Sequence, residues 1–370
     1  MRTRICDTFS IEFPIFAFSH CRDVVAAVSR AGGLGVLGAL AFTPEQLEIE
    51  LKWIDAHVDG KPYGVDVVMP ISSVGGEGAQ EPDFQAMIPQ AHRDFVESVM
   101  DRHRVPKMPE DAPAPMALLG WTYDNARPQV DIALSHPIKL LASALGPPPP
   151  DVTEKAHGQG VVVAALVGSA QQAIKQKEAG VDVIVASGYE AGGHTGEVAS
   201  MVLVPEVVDA VAPTPVLAAG GIGSGRQMAA ALALGAEGVW TGSIWLTVKE
   251  SDTADFLVDR MLGATSRDTV RSRSMTGKPA RQLRTAWTDA WDGPESPGTL
   301  PMPLQYMLTA DAQVRMRHFE QARDLATTPV GQIVGSMNSV RSARDVIFDM
   351  VQECIAVTER LNATAAAAHS

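Results

Sequence analysis

Three cysteines, Cys6, Cys21 and Cys354, are all that the 370 residues contain, too few and too scattered for a disulfide framework or a four-sulfur zinc site. Their scarcity points to a reducing compartment. Also missing is any block of basic charge: Lys and Arg are dispersed and the formal net charge is -13, so a phosphate backbone is repelled over most of the surface and nucleic acid is not an expected partner. There is no long apolar run. The longest stretches, such as VVVAALV at 161–167, fall well short of the roughly 20 residues of a membrane span, and the leading MRTRICDTFSIEF has no apolar core of a signal peptide. A soluble, cytoplasmic protein is expected. No histidine and carboxylate spacing suggests a metal site, and no GxGxxG follows the first strand, as an open dinucleotide-binding sheet would have it.

What is present is a repeat of short apolar runs separated by helical patterns, the signature of parallel strands buried on both faces. The runs are PIFAFS from 14, GVLGA from 35, YGVDVVM from 63, IKLLASALG from 138, VVVAALVG from 161, VDVIVASG from 181, PVLAAGGI from 215 and GVWTGSIW from 238. Helical patterns cover 22–31, 44–57, 152–158, 169–179, 202–212 and 225–235. Thr43, followed by Pro44 and Glu45, is a good helix start, because the hydroxyl can cap free amides and proline tolerates the first turn. Eight such units predict a (β/α)8 TIM barrel with its chemistry at the C-terminal ends of the strands. An open doubly wound sheet is the alternative.

At 46% hydrophobic the chain can bury one large core, so residues 1–370 are read as one domain with decorations. Two regions break the repeat. Residues 71–137, with GGEGAQEPD, a helix near 92–104 and the proline-rich VPKMPEDAPAP, form an insertion after the third strand that suits a lid. Residues 265–361 form a C-terminal extension with helices expected at 311–326 and 339–361, and 362–370 is expected to be a disordered tail.

Two glycine clusters bear on chemistry. In AAGGIGSGRQMAAALALGA, a strand ends at Gly220 and Gly221 and a helix follows, an arrangement that lets backbone amides meet an anion. The next strand ends in Trp240, Thr241, Gly242 and Ser243, so two consecutive strands end in glycine and hydroxyl residues, like the phosphate cradle after strands seven and eight of a barrel. A phosphate-bearing cofactor fits, and so does a sugar-phosphate substrate. The other cluster is GYEAGGHTG at 188–196, which removes nearly every side chain around His194. An imidazole there titrates near neutrality and can reach a substrate at the barrel mouth.

The motifs VDVIVASGYEAGGHTGEV, AAGGIGSGRQMAAALALGAEGVWTGS, TGKPARQLR, AAVSRAGGLGVLGALAFTPEQL and YGVDVVMP resemble those of the nitronate monooxygenases, formerly 2-nitropropane dioxygenases, over about 14–70 and 138–290. The resemblance implies an FMN-dependent barrel. It implies that Ala17, Phe18 and Gly192 lie beside the flavin and that Gly220, Gly221, Trp240, Thr241, Gly242 and Ser243 hold the ribityl phosphate. His194 becomes the base that removes the α-proton of a nitroalkane, or orients the nitronate. Asp66 stands where the family usually has an asparagine near the flavin, and Ser187 where it usually has a glutamine; an acidic group there would disfavour the anionic reduced flavin. The implied reaction is oxidation of alkyl nitronates by O2 to a carbonyl compound and nitrite. Related barrels reduce quinones or enoyl or CoA thioesters with NAD(P)H, and that activity is the alternative.

Four further features carry competing readings. His20 and Cys21 in AFSHCRD are either an activated pair or an inert histidine and buried thiol. Lys278 and Arg281 either close over a phosphate or anionic substrate, or form salt bridges. Glu190 pairs with His194 or an arginine, or caps a helix. Trp287 and Trp291 suit a packed helix face, and the apolar C-terminal helices suit a homodimer.

Overall fold

The computed structural model describes residues 2–69, 83–109, 123–144 and 146–367. All eight expected strands are present: β1 (Ile15–Ser19), β2 (Leu34–Gly38), β3 (Tyr63–Asp66), β4 (Leu140–Ser143), β5 (Val162–Val167) and β6 (Val183–Ser187), then, past the two-residue strand β7 (Gly193–His194), β8 (Val216–Ala219) and β9 (Gly238–Thr241). The parallel order β1-β2-β3-β4-β5-β6-β8-β9 closes on itself, with Ala17 opposite both Gly35 and Thr241. The open-sheet alternative is thereby excluded.

The period-two alternation of each strand sorts its side chains into two cores. Phe16, Val36, Leu140, Ala142, Ala164, Val185, Leu217 and Trp240 fill the lumen, while Ile15, Ala17, Val65, Leu141, Ala165, Ala186 and Val239 face the surrounding helices. Each fully buried aliphatic or aromatic side chain contributes about 1.5–3 kcal/mol, so a one-residue slip of any strand would exchange the two cores. Helix α1 (Arg4–Phe9) plugs the N-terminal end of the lumen through Ile5, Cys6 and Phe9, whose ring meets Phe16 edge-on at 5.2 Å. That end is closed, and the other end carries the site.

The outer ring comprises α2 (Arg22–Arg30), α3 (Pro44–His57), α5 (Tyr123–Ser135), α6 (Pro150–Gly158), α7 (Ala170–Glu178), α8 (Ser200–Val211) and α9 (Gly225–Ala233), with the C-terminal helix Ala343–Ala367 packed between α9 and α2, while α4 (Gln90–Arg102) packs outside the ring on the helix Leu304–His318. Thr43 caps α3 as expected, accepting from the Gln46 amide at 3.2 Å while the Gln46 side chain accepts from the Thr43 amide at 2.9 Å. The described parts of the insertion are anchored. Gln129 on α5 donates to the carbonyls of Ala39 and Phe42, and the residues after α4 are held by Arg315, which donates to the carbonyls of Val105 and Pro106. GGEGAQEPD up to residue 82 and the proline-rich stretch from residue 110, on which the lid reading turns, lie outside the described residues.

The C-terminal extension differs from its sequence reading. After α10 (Asp255–Gly263), strands β10 (Thr269–Ser272) and β11 (Ala280–Leu283) form an antiparallel sheet with β7, pairing Ala280 with His194 and Arg281 with Gly193. Helix α11 (Ala286–Asp292) buries Trp287 and Trp291 as expected, their rings 5.8 Å apart. Helix α12 spans Leu304–His318 rather than 311–326, because its buried stripe of Leu304, Leu308, Ala312 and Met316 begins just after Pro303. Helix α13 (Ala343–Ala367) runs on past residue 361 through the alanines, the residue type that costs a helix least.

Candidate active site

Strand parity brings Phe18, Gly38, Asp66 and Ser187 to the lumen wall at its C-terminal end, since their register partners include the lumen residues Val36, Ala142 and Ala219. Phe18 and Trp240 stack at 6.4 Å, and Trp240 also stacks on Phe16 at 6.3 Å. Trp240 therefore serves as a core ring and offers a ligand only its backbone. Ala17 likewise turns its methyl to the helices. Asp66 is buried, and burial raises its carboxyl pKa to about 7.

Gly220 and Gly221 turn the chain out of β8 with φ of 93° and 69°, values that an L-residue with a Cβ adopts only at a cost. At Gly242 no heavy atom lies within 4 Å of where a Cβ would sit, so the strand end faces open space. Ser243 Oγ accepts from the Gly331 amide at 2.8 Å, which leaves its own O–H to donate. Thr241 is different: its hydroxyl donates to the Phe16 carbonyl at 2.9 Å and accepts from the Trp245 indole, so it is spent on the fold. The start of α9 is also largely spent. Gln227 accepts from the Gly223 amide at 2.9 Å, and a carboxylate of Glu353 on α13 accepts from the Arg226 amide at 3.3 Å. The groups these strand ends leave open to a ligand are thus the Gly220–Gly221 turn, the open face of Gly242 and the hydroxyl of Ser243.

The loop after β6 is pinned from both ends. Glu190 takes the helix-cap reading, accepting from the Ser200 amide and hydroxyl, each at 3.0 Å, at the start of α8. The Ser200 hydroxyl also lies 2.9 Å from the Gly220 carbonyl, tying this loop to the cradle. Gly192 is glycine for a reason the sequence hid. A Cβ there would stand 2.8 Å from the Gly331 amide nitrogen and the Val330 carbonyl carbon, and the neighbouring Gln332 amide donates to the Glu190 carbonyl at 2.9 Å. A strap from the far C-terminal region, Val330 to Gln332, crosses the loop at this point. Only PVG in TTPVGQIVG hinted at a tight chain crossing.

His194 sits beyond that crossing, on β7, solvent-exposed at the mouth. Its Nε2 lies 2.9 Å from Thr276 Oγ1, and the Thr276 hydroxyl in turn donates to the Lys278 carbonyl at 3.3 Å. The same Thr276 oxygen accepts from the Lys278 amide at 3.3 Å, so the Lys278 backbone fixes the hydroxyl that orients the imidazole. Surrounding protein atoms first, and the Lys278 ammonium second, push the imidazole pKa down to about 4. Water at the exposed ring screens part of that effect, and the ring is neutral at pH 7 in any case. Thr276, absent from the sequence reading, is the positioning residue.

The remaining candidates resolve as structure. Arg281 is buried and donates through Nε and Nη2 to the Tyr189 carbonyl, with its guanidinium 4.5 Å from the Tyr189 ring centroid and that of Arg271 at 4.9 Å. It fastens the His194 loop instead of reaching a phosphate. His20 Nδ1 donates to the Gly38 carbonyl at 2.9 Å, and burial lowers its pKa. Cys21 is a buried thiol on the Glu250 carbonyl at 3.2 Å, and burial raises its pKa, the opposite of an activated thiolate.

The nitronate monooxygenase family model matches residues 2–353. A protein of Mycobacterium tuberculosis (strain ATCC 25618 / H37Rv) described as "Putative monooxygenase Rv1533" is 58% identical over 96% of this chain and 97% of its own length. Among solved structures, a nitroalkane oxidase from Streptomyces ansochromogenes has a TM-score of 0.80 at 24% identity, covering 96% of this chain and 99% of that one, a likeness of fold. FabK from Thermotoga maritima has a TM-score of 0.75 at 28% identity, covering 98% of this chain and 99% of that one. A closed parallel barrel, glycine-rich loops at its open end with a neutral histidine on one of them, and a family match over nearly the whole length agree: this chain is an oxidoreductase belonging to the nitronate monooxygenase family.

Proposed function

We propose that the protein binds FMN at the barrel mouth and oxidises alkyl nitronates with O2 to a carbonyl compound and nitrite. The observation that carries this reading is His194, neutral at pH 7 and oriented by Thr276, on the loop that follows β6 at the open end of the barrel. Gly220, Gly221, Gly242 and Ser243 bind the phosphate end, and Phe18, Asp66, Ser187 and the backbone of Ala17 and Gly192 line the flavin. FMN, when bound, supplies the electron transfer between nitronate and oxygen. The neutral imidazole of His194 takes the α-proton of a neutral nitroalkane, and the imidazolium so formed stays beside the nitronate anion. Three buried free cysteines support a reducing, cytoplasmic setting. Exposed Phe348, Ile355 and Leu361 on α13 support a homodimer, which sedimentation would reveal.

The test is an anaerobic spectrum of the purified protein with ethylnitronate in one cuvette and NADH in another. Flavin bleaching by nitronate alone supports the proposal. The FabK likeness favours a second reading, an NAD(P)H-dependent reductase of a quinone or an enoyl or CoA thioester; rapid bleaching by NADH would establish it instead. A protein that takes up no FMN would overturn both.

A further inference from the structure

Asp66 is an anomaly in the lumen wall. It ends β3 on the inward face, between Gly38 of β2 and Ala142 of β4, and only 4% of it is exposed. Among the described residues its carboxyl has no hydrogen-bond or ion-pair partner. The strands flanking it, LGVLG and LLAS, carry no ionisable side chain. On α2, behind β3, Arg22 is engaged by Glu50 and Arg30 by the His57 carbonyl, both on the outer side. At the mouth, His20 is committed to the Gly38 carbonyl and His194 to Thr276, with Lys278 beside it. A carboxyl placed this way, with nothing to neutralise it, is cheaper to keep protonated than charged.

We infer that Asp66 enters the cofactor complex as a neutral carboxylic acid, donating a hydrogen bond to an acceptor on the bound flavin, so that flavin binding takes up a proton and weakens as pH rises. This inference rests on the FMN reading above. Burial alone already brings the group to about 7 before any ligand covers it, and a flat aromatic ligand over the lumen removes what water remains. The free protein then deprotonates near neutrality while the complex holds its proton. Above the free protein's pKa the apparent Kd rises by about tenfold per pH unit until the complex also titrates.

The experiment is an FMN titration by fluorescence quenching from pH 6 to pH 9, on the full chain and on Asp66→Asn, which keeps the shape and cannot ionise. The expected result is a Kd at least about tenfold weaker at pH 9 than at pH 6 for the natural protein, and a change under about threefold for the variant. Parallel curves for the two proteins would overturn the inference while leaving the FMN reading intact. Failure of the natural protein to bind FMN at any pH would overturn the FMN reading itself. Should Asp66→Asn not fold, calorimetry of the natural protein at pH 8 in two buffers of different ionisation enthalpy decides the question. Net proton uptake on binding supports the inference, and none overturns it.

Discussion

The loop at 188–196 and the turn at 220–225 look alike as strings of glycine, yet glycine serves different ends in the two. In the turn, Gly220 and Gly221 adopt positive φ, and Gly242 on the adjoining strand end has open space where a Cβ would sit. In the loop, Gly192 lies against the backbone of Val330 and Gly331, so the missing side chain makes room for the protein's own strap. One region turns the chain sharply beside an open strand end, the feature on which the proposed phosphate site rests. The other is shaped to be held still, so that a single imidazole has a fixed place. Glycine content alone does not distinguish the two uses; the neighbouring chain does.

The comparison breaks most sharply at His194. His194→Asn should lower kcat/KM on a neutral nitroalkane by about 10²–10⁴-fold, while turnover of preformed nitronate and FMN affinity change little. Equal losses on both substrates would show that the loop does more than move a proton. Gly192→Ala and Gly221→Ala sharpen the contrast. The first should cost about 1–3 kcal/mol of stability by pushing against the strap, with FMN affinity retained in the folded fraction. The second, forced into a left-handed conformation, should cost about 1–2 kcal/mol and weaken FMN binding directly. Denaturant melts beside FMN titrations separate these outcomes, and a G192A protein with weakened FMN binding and normal stability would reverse our assignment.

Ser200→Ala removes the hydroxyl that joins loop and cradle and should cost about 0.5–1.5 kcal/mol, read as a lower denaturation midpoint. The smallest effect concerns pH. Desolvation and Lys278 hold the His194 pKa below 6.5, so activity on neutral nitroalkane should be full at pH 7 and fall only as acid protonates the ring. Lys278→Met should move that acid limb upward, towards pH 6.5, and leave the plateau unchanged. A limb that stays in place would mean that burial alone sets the imidazole.

Much of this was legible in the residues. Eight apolar runs bounded by glycine, proline and helical patterns called for parallel strands covered by helices on both faces, and helix α3 occupies 44–57 as its Thr43-Pro44 start suggested. His194 stood out because its loop has so few other side chains. Illegible were the groups that act on it from far along the chain. Thr276, Arg281 and Gly331 lie 82, 87 and 137 positions after it in sequence, and no periodicity links such separations. The hydroxyl of Thr241 was misjudged for the same reason, since its partner is the Phe16 carbonyl at the other end of the barrel sequence.

The sequence by itself determined the eight strands, most of the helices between them and the glycine-rich loops at the strand ends, because strand periodicity and backbone conformational limits are local properties. Only the tertiary structure decided which glycines pack against the strap, closed the strands into a barrel, showed which hydroxyls are already engaged, and left Asp66 without a partner among the described residues. Those outcomes depend on what lies within a few ångströms of each atom, and closure of the barrel with the return of its C-terminal extension is what brings those neighbours together.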